Sequence, residues 1–179
     1  MKIVLTGPPG SGKSTIIDEL EKLGYKIISE PARTLIAHYD KHSPELHPKL
    51  SKENRKLFQI AIENKGYEDF KANEYGFFDR SILDEVGYRT RFKIEISAEL
   101  DDFCKNNRYD MVFFFPFWRE IYKTDNVRHE TPSEAEKVSK YIFNAYTKYR
   151  YDPLIVPKTS IENRLDYIIN NIIISEKKH

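Results

Sequence analysis

Sulfur is scarce in this chain: one cysteine, Cys104, stands among 179 residues, so no internal disulfide can staple the fold. Charge of one sign is lacking too, since 29 Lys and Arg face 28 Asp and Glu, a formal net charge of +1. That balance removes the global field that draws proteins to nucleic acid or anionic membrane, and no nucleic-acid partner is expected. No apolar run reaches the roughly 20 residues of a membrane span, and the first residues lack a signal-peptide pattern. Together with the lone thiol, this gives a cytoplasmic location as the expectation. What the chain does have is 40% hydrophobic and 13% aromatic residues, enough for one sizeable core, so residues 1–179 are read as a single unit.

Ile3-Val4-Leu5 is a short apolar run stopped by Gly7-Pro8-Pro9-Gly10, the pattern of a buried parallel strand ending in a turn. Ile16, Ile17, Leu20 and Leu23 then recur at helical spacing up to Gly24, a residue suited to closing a helix. Strands are expected at Tyr25–Ser29, Tyr75–Phe78, Met111–Phe115 and Leu154–Val156. Helices are expected from Pro31 to Tyr39, from a Ser51 cap to Ala72, from Ile82 to Phe92, and around Ala98 to Lys105. A capping box at Thr131 and Glu134 opens a long helix running to about Arg150. Thr159 with Glu162 opens the last, with Ile161, Leu165, Ile168, Ile169, Ile172 and Ile173 on one face. Five apolar strands separated by helices imply an α/β fold, a parallel sheet covered on both faces.

Gly7-Pro8-Pro9-Gly10-Ser11-Gly12-Lys13-Ser14 has the spacing G-x-x-x-x-G-K-[ST] and lies between a predicted strand and a predicted helix, the context this motif requires. Its glycines let backbone N–H groups, helped by the positive end of the helix, converge on phosphates. Gly7, Gly10, Ser11, Gly12, Lys13, Ser14 and Thr15 are therefore the candidate residues for a nucleoside triphosphate. Lys13 would bridge the β and γ phosphates, Ser14 would ligate Mg2+, and Thr15 would help hold the α phosphate.

Two further strand ends carry chemistry. Asp79-Arg80-Ser81 delivers an acid, able to bind Mg2+ or serve as base, and a guanidinium whose planar fork matches phosphate oxygens. Glu30-Pro31-Ala32-Arg33 offers a second acid that can accept a proton from an acceptor hydroxyl. His38, His42 and His47 crowd one region without the spacing of a metal site, and Cys104 reads as a small buried apolar residue.

The Glu30-Pro31 and Asp79-Arg80-Ser81 elements are similar to the glutamate-proline and acid-arginine-serine motifs of deoxynucleoside kinases, and Phe58-Gln59 to their base-reading helix. With Trp118, Tyr122, Asp125, Arg128 and Val156-Pro157, the order resembles still more the small predicted ATPase/kinase family related to the ribosylnicotinamide kinase domain of NadR. The resemblance implies a three-layer α/β/α P-loop fold with a five-stranded parallel sheet in the order 2-3-1-4-5. It also implies a lid at about 116–131 whose Arg119, Lys123 and Arg128 close over the γ phosphate. In that reading Lys13, Glu30, Asp79, Arg80, Arg119 and Arg128 are catalytic. Glu30, Arg33, Phe58, Gln59 and Arg80 hold the acceptor, and Ser14 and Asp79 hold the metal. Asp79 stands where deoxynucleoside kinases usually carry glutamate, so either Glu30 or Asp79 can be the base.

The expected activity is transfer of the γ phosphoryl group of ATP, with GTP open, to a nucleoside-like or other small polar metabolite. The alternative is an ATPase or GTPase switch acting on a protein or lipid. No N-K-x-D or T-K-x-D motif is present for a translational-type GTPase, and no apolar run ending in Asp-Glu for a hexameric AAA+ motor. A homodimer is compatible with the chain.

Overall fold

The computed structural model describes residues 1–122 and 131–177. Its strands are β1 (Lys2–Thr6), β2 (Ile27–Ile28), β3 (Gly76–Asp79), β4 (Met111–Phe114) and β5 (Leu154–Ile155). The helices are α1 (Lys13–Lys22), α2 (Pro31–His42), α3 (Lys52–Ala72), α4 (Ile82–Phe92), α5 (Ala98–Asn106), α6 (Pro132–Lys148) and α7 (Ile161–Glu176), with short 3-10 turns at Pro44–Leu46 and Arg119–Ile121. All strand pairs are parallel, and the order is β2-β3-β1-β4-β5, as the resemblance implied.

Alternation along the strands builds the three layers. Ile3, Leu5, Phe77, Phe113 and Phe115 point to one face and pack with Ile16, Leu20 and Ile168 of α1 and α7. Val4, Phe78, Val112 and Phe114 point to the other, against residues of α3, α4, α5 and α6. α4 and α6 cross closely because residue 87 is glycine: a Cβ there would stand 2.9 Å from the Ile142 Cα. Cys104 is fully buried in this second layer, as expected, and burial pushes its thiol up to about 12.

β2, β4 and β5 are shorter than the runs that announce them, whereas β1 extends by one residue at each end to Lys2–Thr6 and β3 is shifted by one residue to Gly76–Asp79. The Thr131 capping box and Pro132 at the first helical position occur as anticipated. The cap of α7 is Ser160, not Thr159: the Ser160 hydroxyl accepts the Asn163 N–H, while the Thr159 backbone N–H bonds back to the Pro157 carbonyl. The stripe on α7 is also offset. Ile161 and Ile173 are exposed, and Arg164 takes a buried position beside Ile168.

Register sets the working edge of the sheet. Leu5 pairs with Asp79 and Thr6 with Phe114, so the carboxyl ends of β1, β3 and β4 lie side by side, the edge at which parallel α/β sheets bind ligands.

Candidate functional site

β1 releases the chain into the loop Gly7–Gly12, and α1 begins at Lys13 with Gly12 as its N-cap in a left-handed conformation, φ 75°. No side chain caps this helix, so its first N–H groups are left to the loop's contents. Two glycines are required by what covers the loop. A Cβ on Gly10 would lie 2.3 Å from the Tyr122 ring, and one on Gly12 would lie 2.8 Å from both Arg164 Nη1 and Ile121 Cδ1.

Lys13 is 5% exposed, and its ammonium forms an ion pair with Asp79, itself 6% exposed. Burial pulls the Lys13 pKa below its ordinary value and Arg80 adds to this, while Asp79 and Glu30 oppose it. A cation already stripped of water and held at the loop gains strongly from a phosphate. Around it the charges alternate. Arg80 Nε lies 3.0 Å from Glu30 Oε1, Arg33 Nε lies 3.5 Å from Glu30 Oε2, and Arg33 Nη2 donates to the Ser14 hydroxyl at 3.3 Å. The Arg80 Nε–H is not aimed along its contact and makes no hydrogen bond.

Arg80 is held unusually firmly. Its φ of 69° is rare for a residue with a side chain, yet its N–H donates to the Leu5 carbonyl at 2.9 Å and Nη1 to Asp84 Oδ1 at 3.0 Å. Burial works against its charge, but Tyr88, Glu30, Asp84 and Asp79 outweigh that and hold its pKa above that of a free guanidinium.

Asp84 was not singled out from the sequence. It accepts from the Thr6 hydroxyl at 2.6 Å, the Tyr146 hydroxyl at 2.5 Å and the Ser81 N–H at 3.0 Å, as well as from Arg80. The only linear signal was an Asp three residues after Ser81, a capping pair, and that box does form at the start of α4.

Arg164 is the second residue that reading the sequence missed, hidden inside an isoleucine-rich helix. It is 4% exposed, donates from Nη2 to the Ser11 carbonyl at 3.1 Å, and lies over the rings of Phe115 and Trp118 at 5.0 and 5.6 Å. Burial lowers its pKa, and no described carboxylate pairs with it. The buried Ser11 hydroxyl and Arg164 Nε have no hydrogen-bond partner among the described residues.

Away from the loop, a cleft of about 910 Å3 opens between α2, α3 and α4. Glu30, Arg80, Phe58 and Gln59 all line it, so four of the five candidate acceptor residues converge. Arg33 does not line it; its side chain is 60% exposed and turns toward Ser14. Arg119 is exposed in the 3-10 turn after β4, without an ion pair to a described residue. Lys123, Asp125 and Arg128 lie outside the described residues.

Ser14 and Asp79 offer one hydroxyl and one carboxylate, the sparse hard-oxygen set that suits a Mg2+ ion retaining water and phosphate ligands. Among the described residues no cluster of three or more His, Cys, Asp or Glu is arranged to hold a metal by itself, and no helix is long and apolar enough to cross a membrane.

The sheet order, the glycine loop after β1 and the lysine at the start of α1 define a P-loop protein of the three-layer α/β/α class. Residues 2–164 match the family described as AAA domain, and the chain belongs to that family. Among solved structures it is similar to a deoxyadenosine kinase from M. mycoides with bound dATP, at TM-score 0.67 and 21% identity over 96% of this chain and 99% of that one. It is also similar to a thymidylate kinase from Candida albicans, at TM-score 0.63 and 17% identity over 99% and 93% of the two chains. A third is the YorR protein from Bacillus subtilis in complex with phosphorylated GDP, at TM-score 0.57 and 18% identity over 100% and 99%. No curated protein matches the sequence significantly.

Proposed function

We propose that the protein is a kinase that transfers the γ phosphoryl group of ATP to a hydroxyl of a nucleoside-like or other small polar metabolite. The observation that carries this reading is the meeting of two sites at one sheet edge. Beyond the phosphate loop and its buried lysine opens a cleft that Glu30 and Arg80 line, and the charges of these two residues act on Lys13. The kinases that share the fold, one of them solved with dATP, support a nucleoside-like acceptor.

In this mechanism the loop N–H groups and Lys13 hold the β and γ phosphates, and Ser14 and Asp79 would hold Mg2+, which would supply charge neutralisation when bound. Glu30 is the better base, because it lines the cleft while Asp79 is turned into the Lys13 pair. The acceptor hydroxyl oxygen bonds to the γ phosphorus, the bond from that phosphorus to the β–γ bridging oxygen breaks, ADP leaves, and Glu30 takes the hydroxyl proton. Arg80, fixed by Asp84 and the Leu5 carbonyl, faces the moving phosphoryl group. Arg33 would orient Ser14 and Glu30 rather than touch the acceptor. Arg119, exposed in the turn after β4, would add a further cation for the transferred group.

The family description does not by itself argue for a ring motor. β3 ends in Phe78-Asp79-Arg80 rather than in an acidic pair, and an arginine at that point suits an acceptor phosphoryl group.

ADP release measured with Mg-ATP and a panel of nucleosides and sugars should depend on the acceptor. Glu30→Gln should lower kcat by roughly 10^2-fold with little change in ATP affinity. If ATP binds, no acceptor accelerates ADP release, and Glu30→Gln is silent, the protein is a nucleotide switch instead.

A further inference from the structure

The inner face of α3 changes character along its length. Lys52, Arg55, Lys56, Gln59, Ile62 and Gly66 recur at helical spacing and all line the cleft, running from cations through an amide to an apolar floor beside Ile82. At 1.5 Å per residue, Lys52 to Gly66 spans about 21 Å. The cleft volume, about 910 Å3, lies at the upper end of the range for small-molecule sites.

The cations at the mouth are not neutralised. Lys56 meets Glu53 at 4.0 Å with both side chains exposed, while Lys49, Lys52 and Arg55 make no ion pair with a described residue. The carboxylates that line the cleft are already committed at its inner end: Glu30 and Asp84 to Arg80 at 3.0 Å each, and Glu85 to Arg89 at 3.3 Å. The N-terminus of α3 adds its partial positive charge at the same place, where Lys52 is the first helical residue. Lys49, Lys52, Arg55 and Lys56 thus present four solvated cations to one end of the cleft, where an anionic group on a ligand would find partners that the protein's own acids do not occupy.

We propose that the acceptor is itself a phosphate monoester, with its phosphate at the cleft mouth on Lys52 and Arg55, flanked by Lys49 and Lys56, and its reactive hydroxyl at the far end beside Glu30. This rests on the kinase reading and narrows it from polar metabolites in general to phosphorylated ones. The charge-bearing rim sets specificity, and a nucleoside or sugar without phosphate leaves it unpaired. The substrate must then come from a reaction that leaves one phosphate ester and one free hydroxyl on the same small molecule.

The test uses the full chain with Mg2+ and a non-hydrolysable ATP analogue. Adenosine and thymidine are titrated beside their 3′- and 5′-monophosphates, with binding read by calorimetry and product by ADP release. At least one monophosphate should bind about tenfold or more tightly than its parent nucleoside, and Lys52→Gln with Arg55→Gln should erase that preference. The double variant should keep its response to the ATP analogue and its unliganded melting temperature, since both side chains are exposed. Equal binding of charged and uncharged probes, including no binding of either, overturns the proposal. So does a preference that survives the double variant, or binding confined to a 5′-hydroxyl oligonucleotide. Failure of the ATP analogue itself to bind would instead defeat the kinase reading, and titrating the monophosphates without it then judges the rim on its own.

Discussion

The phosphate loop and the cleft are built by opposite means. At the loop the recognising groups are main-chain N–H groups and one buried lysine, and its charges already have partners: Lys13 with Asp79, Arg80 with Glu30. At the cleft the recognising groups are side chains on three helices, α2 contributes no fully buried residue, and of the rim cations only Lys56 meets an acid among the described residues, at 4.0 Å. A backbone cradle binds any triphosphate alike, so it says little about what is phosphorylated. Identity therefore resides in the more loosely packed wall, where α2 and the first half of α3 have the fewest buried contacts to lose when a ligand draws them inward.

The comparison breaks most visibly at Lys13. Lys13→Ala should reduce kcat/KM by roughly 10^3-fold or more, read in a coupled ADP assay. It also strands Asp79 as a buried carboxylate, so the melting temperature should fall as well. Adding Asp79→Asn to Lys13→Ala should recover stability without recovering activity, which separates the ion pair's structural part from its phosphate contact. A double variant that binds ATP normally would remove the basis for calling this loop a nucleotide site.

Next in size is Asp84, the joint between the two regions. It ties Thr6 at the end of β1 to Arg80 at the cleft and to Tyr146 of α6. Burial first, and then the charge of Asp84, keep the Tyr146 phenol well above its ordinary pKa, so it remains a donor. Asp84→Ala removes the shared acceptor of Thr6, Tyr146 and Ser81 and one of the two carboxylates that hold Arg80, and chemical denaturation should show a loss of about 3–5 kcal/mol. A loss below about 1 kcal/mol would mean that water replaces the carboxylate freely and that the joint is not structural.

What the linear order disclosed follows from this division. The loop, the strand end at Asp79-Arg80 and the Glu30-Pro31 step are contiguous, so their chemistry is written in neighbouring letters, and the parallel sheet follows from apolar runs with helical spacers. Asp84 and Arg164 act through partners far away in the chain, Thr6 and Tyr146 for one and Ser11 for the other, and no local pattern encodes such meetings. Arg164 was masked further by its isoleucine neighbours, which read as an unbroken apolar stripe. Phe58 and Gln59 became candidates only through a resemblance, and they line the cleft; Lys52 and Arg55 line it too but carry no local signal, because a cationic first turn is common on any solvated helix. The Ser160 cap went to the neighbouring hydroxyl because Thr159 is drawn into a turn with Pro157.

Arg164 sharpens the contrast because it belongs wholly to the loop side. Arg164→Met keeps an unbranched stem of roughly similar volume and removes the guanidinium with its hydrogen bond to the Ser11 carbonyl. The KM for ATP should rise about tenfold, near 1.4 kcal/mol, while the KM for the acceptor stays unchanged. Stability should change little, since a buried cation without a carboxylate partner is exchanged for an apolar group of similar size. Equal rises in both Michaelis constants would show that loop and cleft are coupled through α7.

The smallest effect expected on activity comes from Glu85, which lines the cleft where one guanidinium, Arg89, must serve both Glu85 and Glu63. Burial pushes the Glu85 carboxyl up to about 8, against the pull of Arg89 and with a further push from Glu63. An unfolded chain releases this proton near the ordinary glutamate value of about 4.3, whereas the folded one keeps it to about 8. Between those limits the native state binds more protons than the unfolded state, so stability falls as pH rises across the window and levels off above it. The slope cannot exceed about 1.4 kcal/mol per pH unit for a single group. Glu85→Gln, which fixes the uncharged form, should flatten the profile of melting temperature between pH 5 and about 8 and leave the Lys13-dependent activity in place. An unchanged profile in the variant would assign the proton to Glu63 instead, which burial also raises, and would leave Glu85 as the charged partner of Arg89 facing the acceptor.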